Sequence, residues 1–250
     1  MGPRVRGMPT ALVTGASSGI GAATARRLAA EGFRVVCAAR RADRVEALAA
    51  EIDGVAVACD ITSADDVARL AAEVGDTLDV LVNNAGGAVG LEPVAEADLD
   101  AWEQMLATNL IGTTRVTKAL LPALTAAGGA IIFVTSTAAD WGYEGGAGYC
   151  AAKAGERAVV EALRLELFDQ PVRIMEICPG MVRTDEFALT RFAGDKEKAD
   201  KVYAGVDEPL TADDVADTIS FMATRPAHVN LDRITIRPRA QAAQYKVFRG

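Results

Sequence analysis

The sequence predicts an α/β fold: a single doubly wound sandwich of helices around a seven-stranded parallel sheet. Seven short β-branched runs alternate with longer Ala-rich stretches of helical period along the 250 residues. The runs are apolar throughout, the pattern of strands buried on both faces, and helical crossovers between such strands make the sheet parallel. No repeat, low-complexity tract or Pro/Gly/Ser linker divides the chain, so residues 1–250 read as one domain.

The expected strands are Ala11–Thr14, Arg34–Ala39, Val55–Cys59, Leu78–Val82, Ala130–Thr135, Val172–Cys178 and Arg233–Arg237. The expected helices are Ile20–Glu31, Arg44–Ile52, Ala64–Val74, Leu99–Ala127, Ala147–Phe168 and Ala212–Thr224. Ser63…Asp66 and Thr211…Asp214 mark two helix starts, with a side-chain oxygen placed to take a first-turn N–H. The rhythm breaks only at 183–209, which is charged and poorly periodic. An insertion there overhangs the carboxyl ends of the strands, so the segment reads as a substrate lid; a solvated loop is the competing reading.

Composition narrows the function. The chain is 50% apolar, which excludes general disorder, and its net charge of -8 argues against a nucleic-acid binder. A single histidine, His228, leaves almost no room for a His-rich metal site or a Ser-His-Asp triad, and no metal is expected. Cys37, Cys59, Cys150 and Cys178 lack C-x-x-C spacing and read as reduced, buried thiols. The first residues, Met1–Gly7, contain no apolar signal core and read as a short leader; no run approaches the length of a membrane span. A cytoplasmic location is expected.

After the first strand comes Thr14-Gly15-Ala16-Ser17-Ser18-Gly19-Ile20-Gly21, and then a helix. Glycines permit the tight turn and close backbone approach, while the helix N-terminus offers free N–H groups to a pyrophosphate. The spacing is G-x-x-x-G-x-G rather than G-x-G-x-x-G. The second strand then ends in Arg40-Arg41, with Arg44 beyond, where an acidic residue would hold the ribose hydroxyl of NAD. Arginine instead suits a 2′-phosphate, which favours NADP, with Arg40 the stronger candidate because it follows the strand directly. The competing reading is the start of a solvated helix.

These motifs and those that follow in order resemble the short-chain dehydrogenase/reductase family. Thr14–Gly21 is similar to its cofactor loop, Asp60-Ile61 to its adenine-contacting pair, and Asn83-Asn84-Ala85-Gly86 to its N-N-A-G. Asn109, Ser136, Tyr149 with Lys153, and Pro179-Gly180-Met181-Val182-Arg183-Thr184 complete the likeness over nearly the whole chain. The resemblance implies a Rossmann-like fold and an enzyme whose cofactor is held by Gly15, Ser17, Ser18, Gly19, Ile20, Gly21, Arg40, Arg41, Asp60, Ile61, Asn83, Ala85, Gly86, Tyr149, Lys153, Pro179, Gly180, Val182 and Thr184. A narrower likeness, carried by Trp141-Gly142-Tyr143-Glu144-Gly145-Gly146 and Pro226-Ala227-His228-Val229-Asn230, is to the NADP-dependent 3-hydroxy acid dehydrogenases. The chain departs from that group at Arg183-Thr184-Asp185 and in its last residues.

Tyr149 and Lys153 stand four apart, on one face of a helix. A phenol, with its ordinary pKa of ~10, needs a neighbouring cation to exchange protons near neutrality. The resemblance makes Tyr149 the proton donor and acceptor, Ser136 a hydrogen-bond donor to the same substrate oxygen, Lys153 the holder of the nicotinamide ribose, and Asn109 the anchor of a relay water. Trp141, Tyr143, Phe187 and Phe192 suit a small pocket wall, and Arg191, or less well Arg183, suits a substrate carboxylate. The expected reaction is hydride transfer between NADP and a small hydroxy acid, semialdehyde or related alcohol or ketone. Reduction of a larger ketone, such as a ketoacyl thioester, sugar or polyketide, is the alternative, and a non-catalytic NADP-binding protein a more distant one. Tyr245, Val247 and Phe248 have too little chain around them to be buried locally, and members of the family are often tetramers, so a homotetramer is expected.

Overall fold

The computed structural model describes residues 7–184 and 186–250; the leader expected at the start of the chain, apart from Gly7, and Asp185, within the segment expected to form a lid, lie outside them. Seven strands form one sheet: Thr10–Thr14 (β1), Arg34–Ala39 (β2), Val55–Ala58 (β3), Val80–Asn83 (β4), Ala130–Val134 (β5), Arg173–Pro179 (β6) and Arg233–Ile236 (β7). All neighbours pair in parallel, in the order β3-β2-β1-β4-β5-β6-β7. The seven-stranded parallel sheet expected from the apolar runs is present.

The helices are Gly19–Ala30 (α1), Ala42–Ile52 (α2), Ala64–Val74 (α3), Leu99–Leu106 (α4), Thr113–Ala127 (α5), Ala147–Glu166 (α6), Phe187–Arg191 (α7), Lys196–Tyr203 (α8) and Ala212–Ala223 (α9). Successive strand side chains take opposite faces. Ala11 and Val13 of β1 therefore join Leu28 of α1, Val45 of α2 and Ile219 of α9 in one core. Leu12, between them, packs with Leu70 of α3, Leu120 of α5 and Val160 of α6 in the other. Both faces of the sheet are covered, which is why its strands read as continuously apolar.

The helix starts form as their side chains dictate. The Thr211 oxygen accepts from Asp214 N while the Asp214 carboxylate accepts from Thr211 N, a reciprocal capping box on α9. Ser63 likewise accepts from Asp66 N at α3, but the Asp66 carboxylate turns to Asp60 N instead.

Three segments differ from the expectation. The single helix expected over Leu99–Ala127 is interrupted by a π-helical turn at Ala107–Gly112, which an apolar period does not register. The 183–209 break contains α7 and α8, whose Ala188, Ala199 and Tyr203 bury one another with Met181, Leu189 and Phe192. These helices are too short for a period of 3.6 to show. The tail folds as an antiparallel hairpin, Gln241–Ala243 (β8) with Lys246–Val247 (β9). Among the described residues, no helix is long and apolar enough to cross a membrane.

Candidate active site

The strand order reverses direction of growth between β1 and β4, and a crevice opens there at the carboxyl ends. A cleft of about 950 Å³ occupies it. The turn after β1 forms its floor. Gly15 sits at φ +67°, and a Cβ on it would lie 2.8 Å from Asn84 Nδ2 and 2.9 Å from the Ala85 backbone. A Cβ on Gly21 would collide with the Gly15 carbonyl. The backbone at this turn is therefore packed as closely as glycine allows. Ser18, which precedes α1, makes no side-chain cap, so the first-turn amides face the cleft uncapped by it.

The cleft brings together most of the residues singled out in the sequence. Gly15, Ser17, Ser18, Gly19, Ile20, Asp60, Ile61, Ala85, Gly86, Pro179, Gly180, Val182 and Thr184 line it, as do Arg40, Arg41, Ser136, Tyr143, Tyr149, Lys153, Phe187 and Arg191. Others sit elsewhere. Asn83 is buried behind the cleft and donates to Thr117 Oγ1 at 2.8 Å; its neighbour Asn84 faces the cleft and donates to Thr14 O at 2.9 Å. Gly21 packs beneath the lining. Trp141 is 64% exposed and does not reach the cleft. Gln241 and Gln244 of the tail do line it, though no motif marks them: Gln241 Oε1 accepts from Met181 N, and Gln244 Oε1 from Thr137 Oγ1 at 2.6 Å.

Of the two arginines after β2, Arg41 is the one tied to the glycine turn. Its guanidinium donates to Ser17 Oγ at 2.7 Å and Ser18 Oγ at 2.9 Å, and to the Glu186 carboxylate just before α7. Arg44 pairs with the same carboxylate. Burial raises the Glu186 pKa, but hydrogen bonds involving Ser18, Arg41 and Arg44 outweigh it and hold the group down to about 2.

On the opposite wall, Ser136 follows β5 and its Oγ accepts from Ala138 N at 3.1 Å. Tyr149 and Lys153 project from α6, both buried. Tyr149 meets Phe187 edge to face, with centroids 6.1 Å apart. Lys153 Nζ donates to Val134 O at 2.9 Å and Glu156 Oε2 at 2.7 Å. Asn109, fully buried in the π turn, pins the loop after β4: its Nδ2 donates to Gly87 O and Met105 O, and its Oδ1 accepts from Gly87 N.

Arg191, at the end of α7, donates through Nε to Gly90 O at 3.0 Å and lies 5.5 Å from the centre of the Tyr143 ring. Its Nη2 is buried without a hydrogen-bond partner among the described residues. A buried, unpartnered guanidinium N–H is costly unless something polar fills the adjacent space.

The fold and this cleft define a nucleotide-dependent oxidoreductase of the doubly wound type. Residues 9–192 match the short chain dehydrogenase family, and the chain belongs to it. It is 58% identical over 234 residues to an uncharacterized oxidoreductase of Mycobacterium tuberculosis, covering 93% of this chain and 92% of that one. It is 42% identical over 246 residues to the serine 3-dehydrogenase of Rhizobium radiobacter, covering 96% and 98%. The closed form of a serine dehydrogenase complexed with NADP+ superposes with a TM-score of 0.89 at 36% identity, covering 93% and 96%.

The Glu186 contact carries a pH signature. Its pKa in the fold, about 2, lies below the ordinary value of 4.5, so its stabilisation is complete above 4.5 and disappears as pH falls toward 2. Glu186→Gln removes that dependence. The difference in unfolding free energy between the two proteins should be largest near neutrality and close on acidification, as denaturant titrations at several pH values will show.

Proposed function

We propose that this protein is an NADP-dependent oxidoreductase that interconverts a small hydroxy acid and its carbonyl counterpart. The observation that carries the reading is the convergence of Ser136, Tyr149 and Lys153 on the cleft whose other end holds the glycine turn and Arg41. NADP supplies or accepts the hydride when bound. The close-packed turn fits a pyrophosphate, and Arg41 and Arg44 fit the 2′-phosphate; Glu186 then yields these cations to it. Arg40 lines the same end. The relatives support this choice, since one solved neighbour is bound to NADP+.

The protein's own groups supply the proton chemistry. Tyr149 gives its proton to the carbonyl oxygen in reduction and takes it back in oxidation. The Lys153 ammonium favours the phenolate electrostatically, and its remaining N–H is available to the nicotinamide ribose. Ser136 already accepts a backbone N–H, which leaves its own O–H proton for the substrate oxygen. Asn109 fixes the loop at Gly87; a Cβ on Gly86 would lie 3.6 Å from Lys153 Nζ and against Asn109 Oδ1, so this loop is seated beside the ammonium. Burial raises the Tyr143 pKa, with the Arg191 cation opposing, so its phenol serves as a neutral wall. The unpartnered Nη2 of Arg191 is placed for a substrate carboxylate. Residues 183–209, with α7 and α8 over the cleft, act as its lid within the single 1–250 domain.

The exposed Tyr245 and Phe248, at 78% and 72%, support burial against further copies in a homotetramer. Four free cysteines support a reducing, cytoplasmic setting.

The reading is tested by NADPH oxidation against malonic semialdehyde, acetoacetyl thioesters and simple ketones. Turnover is expected to be fastest with the semialdehyde, and Tyr149→Phe should lose ~10²–10⁴-fold. Preference for the thioester would instead identify a reductase of larger ketones, and full activity in Tyr149→Phe would overturn the mechanism. Arg191→Ala should raise KM for the acid ~10–100-fold, the loss of one charge-assisted contact, with NADP+ affinity unchanged. Light scattering should give four times the mass of the chain.

A further inference from the structure

Glu156 is a buried acid for which the chemistry above has no use. It lies seven residues after Tyr149 and three after Lys153, so all three fall along one face of α6. Its carboxylate is 2.7 Å from Lys153 Nζ, and both side chains are almost fully enclosed. The other acids nearby are committed elsewhere. Glu176 of β6 accepts from Arg157 Nε at 2.9 Å and from Thr135 Oγ1 at 2.5 Å, and Asp140 is held by Arg157 at 2.6 Å and by Arg233. Glu156 is thus the counter-ion specific to Lys153.

Resting on the roles proposed for Tyr149 and Lys153, we propose that Glu156 is a positioning residue that holds the Lys153 ammonium in place and sets how much of its charge is felt at Tyr149. The ammonium has three N–H groups. Val134 O and Glu156 take two, so the third is directed by elimination to the cleft that Lys153 lines. The same carboxylate offsets the cation electrostatically. When Glu156 is ionised, the pair is neutral and favours the phenolate weakly; when Glu156 holds a proton, the ammonium acts undiminished.

The surroundings make both forms accessible. Burial pushes the Glu156 pKa well above the ordinary carboxylate range; Lys153, on its own helix, opposes this, and Glu176, across on β6, reinforces it. Glu176 is itself kept charged, against its burial, by Thr135 and Arg157. Lys153 loses affinity for its proton by burial, yet the charges of Glu156 and Tyr149 more than restore it.

The test is the pH profile of kcat/KM for NADP+-dependent alcohol oxidation in wild type, Glu156→Gln and Glu156→Asp. Removing one charge about two helical turns from the phenol should move the midpoint of the rising limb down by about one pH unit in Glu156→Gln. Glu156→Asp, which keeps the charge, should return the midpoint toward wild type. Profiles that differ in height but share a midpoint would overturn the proposal, since a packing role predicts that outcome. Should Glu156→Gln fail to fold, tyrosinate absorbance of Glu156→Ala, which also removes the charge, and of wild type, each differenced against its Tyr149→Phe counterpart, gives the same comparison; identical titrations there would also overturn it. The underlying reading fails separately, by activity retained in Tyr149→Phe.

Discussion

An all-parallel sheet cannot be closed by hairpins. Each strand must be followed by a crossover long enough to return to the other end, and each crossover must cover a face. That constraint accounts for most of this molecule. It puts α1, α2 and α9 on one side and α3, α5 and α6 on the other, and it leaves every loop after a strand at the same end of the sheet. Where the order reverses between β1 and β4, the two neighbouring loops part. The cleft is the space between them, and the glycine turn after β1 and the Asn84–Gly87 loop after β4 are its two lips.

Charge inside this apolar frame is arranged in compensated sets. Lys153 with Glu156, and Arg157 and Arg233 with Glu176 and Asp140, place three cations and three acids along the junction of α6, β6 and β7. Breaking such a pair leaves an uncompensated buried charge, so each residue is constrained by its partner as much as by its own contacts. The set also ties the wall that carries Tyr149 to the far edge of the sheet.

The fold was legible because its physics repeats along the chain: Val35, Val36, Ile131, Ile132 and Phe133 are apolar on both faces, and only a doubly covered strand needs that. The glycine turn and the arginines after β2 were legible because each directly follows an apolar strand and stands out from it in composition. Side-chain direction was not. Asn83 and Asn84 are indistinguishable in a motif, and only the register of β4 turns one toward Thr117 and the other toward the cleft. Arg41 rather than Arg40 reaches Ser17 and Ser18 for the same reason. Glu156 reads as an ordinary surface acid of an amphipathic helix. Glu176 did leave a signal: an acid amid Ile174, Met175 and Ile177 in a doubly buried strand must have a cationic partner. The π turn at Asn109 and the short helices α7 and α8 left none, since local periodicity cannot register a single inserted residue or a helix of one or two turns.

Arg41 has an evolutionary consequence through the company it keeps. One guanidinium bridges the turn at Ser17-Ser18 and Glu186 just before α7, segments that are remote in sequence. Replacing this arginine with an acid would bring a negative side chain against Glu186 and leave Arg44 as that carboxylate's remaining cation. Positions 41 and 186 are therefore inherited as a charge pair, and reversing the sign of one favours a compensating change in the other.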